Sequence, residues 1–91
     1  MNKKSKAIYG QMANGHKIPL RMAILRTKKR IEKCHKEFSY SKEVHDIVVR
    51  LYENMLKKLE YWLDMAIKIN ENIVYMDIES VPPYLSDLEV K

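Results

Sequence analysis

The stretch VHDIVVRLYENMLKKLEYWLDMAIKI, residues 44–69, contains most of what this 91-residue sequence says about its fold. Its apolar residues recur every three or four positions, which is the spacing of one face of an α-helix. A second apolar stripe runs beside the first, and neither Gly nor Pro interrupts residues 42–80. The pattern therefore predicts a single long helix over residues 42–80. The first stripe comprises Val44, Val48, Leu51, Met55, Leu59, Trp62, Ala66, Ile69, Ile73 and Met76, and the second comprises Ile47, Leu56, Leu63, Ile67, Val74 and Ile78.

An alternative end for the long helix lies at residues 70–72, NEN. Asn is a poor residue for a helix interior and a good one for a helix end. The segment that follows, NIVYMDI at residues 72–78, is also compatible with a short strand. We therefore expect any break in the long helix to fall here.

A shorter helix is predicted upstream, from Pro19 to Phe38. Pro suits a first helical turn, because its missing N–H has no helical partner there in any case. Apolar or small residues then recur at intervals of four and three, which again forms one stripe. The connection FSYS, residues 38–41, offers Ser39 or Ser41 as the cap of the long helix. The stripe of the short helix consists of Leu20, Ile24, Thr27, Ile31, Cys34 and Phe38.

Two helices of such unequal length predict an all-α helical hairpin in which part of the long helix is uncovered. The uncovered part begins near Trp62, where the short helix no longer reaches. A contiguous exposed apolar stripe is rare on a monomer. We therefore predict that a second copy covers it and completes a four-helix bundle. A monomeric three-helix bundle, with the long helix broken and folded back, is the alternative. The predicted interface consists of Trp62, Leu63, Ala66, Ile69 and Ile73.

These elements divide the chain into three parts. Residues 1–18 are predicted to be a basic N-terminal arm, because Gly10 and the Asn14–Gly15 pair interrupt any helix there. Residues 19–80 form the helical hairpin domain. Residues 81–91 form an acidic and apolar tail that opens with a Pro-Pro pair. Such a tail either packs on the hairpin, which we favour, or serves as a docking peptide.

Positive charge is concentrated near the N-terminus. Residues 1–36 contain eleven Lys or Arg and one carboxylate, whereas residues 51–91 contain four Lys and eight carboxylates. On a helical wheel, most cations of RTKKRIEKCHK, residues 26–36, lie opposite the apolar stripe. Like charges three and four residues apart repel, so a phosphate-bearing ligand explains the arrangement better than solubility does. The predicted nucleic-acid-binding residues are Arg21, Arg26, Lys28, Lys29, Arg30, Lys33 and Lys36.

Two apolar residues, Met22 and Leu25, lie among these cations. Their exposure would contribute nothing to phosphate binding, so a cover is needed. We expect the N-terminal arm to provide it, and a protein contact beside the cations is the alternative. The arm also extends the basic surface with Lys3, Lys4, Lys6 and Lys17.

No catalytic constellation stands out in the sequence. Cys34, His35 and His45 are candidate metal ligands, but adjacent residues on one helix point about 100° apart. The spacing of Arg30 and His35 resembles the R-x4-H spacing of HEPN-type ribonucleases, which implies phosphate binding by the Arg and acid–base chemistry by the His. On one continuous helix these two residues lie about 140° apart, so one chain does not bring them to one phosphate. We predict no enzyme activity, no cofactor and no metal.

The single cysteine excludes an internal disulfide and fits a cytoplasmic protein. No apolar run has the length that spanning a membrane requires. We therefore predict a small, basic, non-catalytic protein that binds RNA or DNA, such as a regulator or a phage-type accessory protein. An inhibitor or antitoxin-like protein that binds an acidic or nucleic-acid-associated partner protein is the first alternative. A small HEPN-like ribonuclease is the second.

Overall fold

The computed structural model describes residues 7–37 and 41–91. Helices predominate in this part of the chain, as predicted, but a three-stranded sheet accompanies them, which the all-α prediction missed. In chain order the elements are β1 (Tyr9–Gln11), β2 (Lys17–Pro19), α1 (Leu20–Lys36), α2 (Lys42–Lys68), β3 (Ile73–Tyr75) and a 3-10 helix (Pro83–Leu88). The predictions for Lys3, Lys4, Lys6, Phe38 and Ser39 fall outside the described residues.

The sheet has the strand order β2-β1-β3. Gly10 of the central strand lies opposite Ile18 in the antiparallel pair with β2 and opposite Val74 in the parallel pair with β3. The β1–β2 hairpin turns at Gly15, whose φ of +88° lies in the left-handed region that Gly adopts without strain. Residues 7–18 therefore belong to the folded unit, which corrects their assignment to an N-terminal arm.

The central strand lies so close to the core that Gly10 has no room for a side chain. A Cβ at this position would lie 2.5 Å from Met76 Sδ and 3.0 Å from Leu20 Cδ2. Both neighbours are buried, so neither can move into solvent. The sequence pattern had identified Gly10 only as a helix breaker, whereas its role is this close approach.

Both helices begin where the sequence predicts. α1 starts directly after Pro19, whose φ of −71° leads into the first turn. α2 starts after Ser41, whose Oγ accepts a hydrogen bond of 3.3 Å from the Val44 N–H. In the described part of the α1 stripe, Leu20, Ile24 and Thr27 are buried, and Ile31 and Cys34 are half-buried.

The predicted continuous helix over residues 42–80 is wrong, because α2 ends at Lys68. Asn70 then adopts a positive φ of 58°. Its N–H donates to the Ile67 carbonyl oxygen at 3.1 Å, and the following N–H donates to the Ala66 carbonyl oxygen at 3.0 Å. These two hydrogen bonds form a Schellman motif, the common helix ending that requires Gly or Asn at this position. The alternative, a break at the NEN segment followed by a short strand, is confirmed.

One hydrophobic core lies between the sheet and the end of the helix pair nearer to it. We call this end the proximal half and define it as residues 20–27 of α1 and residues 56–68 of α2. The core takes residues from both helices, from β2 and β3, from the two ends of β1 and from the 3-10 helix, so the sheet and the helices are stabilised together. Its buried residues are Ile8, Met12, Ile18, Leu20, Ala23, Ile24, Leu59, Trp62, Ala66, Val74, Met76, Val81 and Leu85.

The C-terminal tail packs on this core, as we favoured from the sequence. Leu85 of the 3-10 helix is fully buried. Val90 pairs with Lys17 at the outer edge of β2, through backbone hydrogen bonds of 2.7 and 2.8 Å. The tail therefore covers the core and also occupies part of one sheet edge, where an open strand would invite other chains.

The other end of the helix pair, the distal half, extends beyond the sheet. It comprises residues 28–36 of α1 and residues 42–55 of α2. At about 1.5 Å per residue α2 is roughly 40 Å long, so it spans nearly the whole 44 Å length of the molecule. Leu51 of the distal half is 64% exposed, whereas Leu59, two turns further on, is 0% exposed. The apolar stripe of α2 thus continues past the point at which its cover ends.

Candidate nucleic-acid interface

The seven predicted nucleic-acid-binding residues all lie on α1. Arg26 is half-buried and the other six are exposed. The helix keeps them on its outer side because Leu20, Ala23 and Thr27 turn towards the core. The structure nevertheless gives the seven residues two kinds of surroundings: the two central arginines contact the C-terminal tail, and the remaining cations face solvent.

Arg26 anchors the 3-10 helix to α1. Its Nη1 donates a hydrogen bond of 3.2 Å to the Tyr84 carbonyl oxygen and a second, short one to the Asp87 carboxylate. This hydrogen bond, together with the positive charge of the guanidinium, lowers the pKa of the Asp87 carboxyl below its ordinary value. Arg26 therefore holds the tail in place, and its Nη1 group is engaged within the chain.

Arg30 lies over the ring of Tyr84, with its guanidinium carbon 5.7 Å from the ring centroid. The same tyrosine shares a hydrogen bond of 2.8 Å with the hydroxyl of the buried Thr27. It also meets the ring of Tyr52 edge-on at 5.1 Å. Burial raises the pKa of Tyr84, and the Thr27 hydrogen bond opposes that rise. Tyr84 therefore joins the tail to both helices at the boundary between the proximal and distal halves.

The remaining cations form what we call the basic face of α1, namely Arg21, Lys28, Lys29, Lys33 and Lys36. Lys36 pairs with Glu32 at 2.9 Å and Lys33 pairs with Glu37 at 3.9 Å. The Lys36 hydrogen bond and charge lower the pKa of the Glu32 carboxyl. Such exposed pairs contribute little stability and exchange readily for other anions. Within residues 7–37 and 41–91, the other three cations of the face have no carboxylate within 4.0 Å.

Met22 and Leu25 lie in the middle of the basic face and are exposed. We expected the N-terminal arm to cover them. Residues 7–18 instead run through the β1–β2 hairpin and leave both side chains uncovered, so the described part of the arm does not provide the predicted cover. The face therefore presents two apolar side chains together with its cations.

The predicted oligomer interface is divided by the fold. Trp62 and Ala66 are buried in the core of the single chain, so they have too little exposed surface to form an interface with a second copy. Leu63 is half-buried, and Ile69 and Ile73 are exposed. The reason is that the helix ends at Lys68, so the sheet returns to cover the residues that a second copy was expected to cover.

The candidate catalytic and metal-binding residues have different neighbours. Arg30 contacts Tyr84, whereas the His35 ring lies 5.3 Å from the His45 ring of α2. The R-x4-H pair thus diverges, as the helical geometry predicts. In the part of the chain that the structure describes, no group of three or more His, Cys, Asp or Glu residues is arranged to hold a metal ion.

Sequence reasoning missed Tyr84 and Asp87 as neighbours of the basic helix. They lie about sixty residues from Arg26 in the chain. The Pro-Pro pair before Tyr84 marked a structural change but gave no indication of where the tail docks. No local pattern could have found this contact, because it depends on the tertiary fold.

Comparison with known proteins finds no matching family model, no similar characterised protein and no similar solved structure. The search for apolar helices of membrane-spanning length finds none among the described residues. The chemistry and geometry of the chain's own surface must therefore carry any functional inference.

Proposed function

We propose that this protein binds RNA or DNA without catalysis, and that the basic face of α1 contacts the phosphates. The observation that carries the proposal is charge density: α1 and the residue after it contain seven Lys or Arg and two Glu. Both of these carboxylates pair with lysines of the face, and the paired lysines remain exposed to solvent. Contacts of this kind give affinity for the phosphate backbone without a sequence preference.

The geometry assigns different roles to the lysines and the arginines in this proposal. Lys29, Lys33 and Lys36 point away from the core, and their flexible side chains can follow a phosphate backbone. Arg26 and Arg30 hold the C-terminal tail, so they contribute to the field of the helix while remaining bound within the chain. Replacing the lysines should therefore weaken binding and leave folding unchanged.

The test is the salt dependence of binding to RNA and DNA oligonucleotides. Changing Lys29, Lys33 and Lys36 together to Gln removes three phosphate contacts, each worth roughly 0.7–0.9 in the slope of log affinity against log salt. The slope is expected to fall by about 2, equally for unrelated sequences. Helicity should be unchanged, since Gln is nearly as good a helix former as Lys.

The matched control changes three exposed cations of α2, namely Lys42, Arg50 and Lys68, to Gln. Net charge changes equally in the two triple variants. If both weaken binding to the same extent, net charge and not the α1 face attracts the nucleic acid, and the assignment is wrong. If the wild type binds neither RNA nor DNA at low salt, the inhibitor-like alternative replaces this function.

We also propose that two copies associate through the distal half and complete a four-helix bundle. Val44, Ile47 and Leu51 are all exposed and lie at helical spacing on one face of α2. This face continues the buried stripe of the proximal half, and no described residue covers it. Two copies related by a twofold axis place the same apolar surfaces against each other, which is the most common closure of such a face.

Sedimentation analysis tests the dimer. Leu51→Glu is expected to yield monomers with unchanged circular dichroism, because the side chain is exposed in the single chain. Ile69→Glu, a similarly exposed change just after the other end of α2, should leave the dimer intact. A wild type that sediments as a monomer at high concentration contradicts the association.

A further inference from the structure

A second surface with a distinct chemistry lies on the proximal half, where the edge of β3 runs beside α2. An open groove of about 420 Å³ lies between these two elements. Its volume falls within the usual range for small-ligand sites. The residues of its lining that matter here are Lys57, Lys58, Tyr61, Trp62, Tyr75 and Asp77.

The turn after α2 assembles this groove from distant parts of the chain. The Schellman motif at Asn70 reverses the chain, so β3 returns alongside the helix that precedes it. Within β3, Val74 is buried and the alternation of the strand therefore turns Tyr75 outwards. Tyr75 is 78% exposed and Tyr61 is 60% exposed, so two phenol rings present most of their surface to solvent at one groove.

The polar groups of the groove are available to a ligand. Lys57 and Lys58 contribute two positive charges, and Asp77 contributes one negative charge. In the described residues, none of these three forms an ion pair within 4.0 Å. The groove thus combines two cations without an ion pair, two exposed aromatic rings and a single carboxylate.

This combination matches the parts of a nucleotide. Bases stack on aromatic side chains, phosphates bind ammonium groups, and a carboxylate accepts hydrogen bonds from the amino group of a base. A purely apolar ligand would leave both lysines without partners, and one carboxylate is too few for a metal ion. A base that is paired in a duplex has no free face or Watson–Crick edge to enter such a groove.

We propose that the groove binds one unpaired base of a single-stranded nucleic acid, with the base against Tyr75 and Tyr61 and the adjoining phosphate at Lys57 and Lys58. Asp77 accepts a hydrogen bond from the base. A carboxylate accepts only, so it favours cytosine, adenine and guanine, whose exocyclic amino groups donate from the edge of the base. Uracil and thymine donate only through N3–H, which lies between two carbonyl oxygens that repel the carboxylate. The inference rests on the nucleic-acid function proposed above and adds a second contact with a different ligand requirement.

Trp62 makes this contact measurable, because it is the only tryptophan of the chain and lines the groove. The probes are oligocytidylate and oligouridylate of about eight nucleotides, a length within the range of single-stranded sites. Binding of oligocytidylate is expected to change Trp62 fluorescence and to be tighter than binding of oligouridylate. A duplex of the same length should bind through α1 without the fluorescence change.

Variants separate stacking from charge. Tyr75→Ala is expected to weaken oligocytidylate binding roughly tenfold, whereas Tyr75→Phe should retain it. Asp77→Asn should reduce the preference for cytosine over uracil. Ile69→Ala, an exposed change at the same end of α2 and outside the groove, is the control and should have no effect.

The outcomes distinguish the two proposals. If Tyr75→Ala binds oligocytidylate like the wild type and oligocytidylate does not change Trp62 fluorescence, the groove inference is wrong. The α1 contact is then still tested separately by the salt dependence of binding. If the α1 triple variant loses binding to duplex and single strands alike and the groove variants lose only single strands, both proposals hold. If no nucleic acid binds at low salt, both fail together.

Discussion

The two halves of the helix pair have the same apolar pattern, but the distal half leaves more of it exposed, although Val49 there is buried. In the proximal half, Leu59 and Trp62 are buried beneath the sheet. In the distal half, Val44 and Leu51 belong to the same stripe of α2 and are exposed. The difference shows that periodicity identifies the apolar face of a helix, whereas only the tertiary structure decides which part of that face is covered.

The largest expected effect compares two leucines of α2. Leu59→Ala removes a fully buried side chain and is expected to cost about 2–5 kcal/mol of unfolding free energy. Leu51→Ala, at 64% exposure, should cost no more than about 0.5 kcal/mol at protein concentrations low enough to dissociate a dimer. Urea denaturation measures both, and equal losses would remove the distinction between the two halves.

The next effect concerns the boundary between the halves, which Tyr84 occupies. Tyr84→Ala loses the edge contact with Tyr52, the Arg30 contact and the hydrogen bond to buried Thr27. We expect a loss of about 2 kcal/mol of unfolding free energy. Tyr75→Ala is the matched control, and thermal denaturation should show it to be nearly neutral, because its ring is exposed. If Tyr84→Ala leaves the free energy of unfolding unchanged, Tyr84 does not belong to the set of residues that cover the proximal half.

The smallest effect is the pH dependence of the Arg26–Asp87 contact. The folded-state pKa of Asp87 is lowered by the Arg26 hydrogen bond, relative to an ordinary value of 3.8. Its contribution to stability is therefore complete above that ordinary value and is lost as the pH falls through the lower folded-state pKa. The melting temperature of the wild type should fall slightly more between pH 5 and pH 2 than that of Asp87→Asn. Identical pH profiles would show that the contact does not hold the tail.

Local signals in the sequence predicted where both helices begin, and the alternative break near residues 70–72 matches the end of α2. Ser41 caps α2, and the chain leaves the helix at Asn70, because both residues act through hydrogen bonds with their immediate neighbours. The strands were harder to predict, since each has three residues and is too short to show alternation. The Asn14–Gly15 pair indicates a helix break and is also typical of a β-hairpin turn, which is the structure it forms here.

The sequence predicted where the candidate interface lies, but not which of its cations contact the C-terminal tail. The helical wheel placed the cations on the outer side of α1, and the structure agrees. It could not show that Arg26 and Arg30 bind the tail, because their partners lie near the other end of the chain. The groove beside β3 was unpredictable for the same reason: Tyr61 and Tyr75 line one groove only after the chain reverses.

The position of β1 at the centre of the sheet has a consequence for synthesis. β1 leaves the ribosome well before its parallel partner β3, because Tyr9 pairs with Ile73, 64 residues further along the chain. At roughly 5–20 residues per second, translation needs several seconds to supply that partner. For most of this interval α2 is itself unfinished, so Ile18 and Leu20 lack Leu59, Trp62 and Val74, with which they form the core. The early strands and α1 therefore stay without a finished core until the later part of the chain is made. Slower elongation across α2 lengthens their exposure to chaperones and proteases.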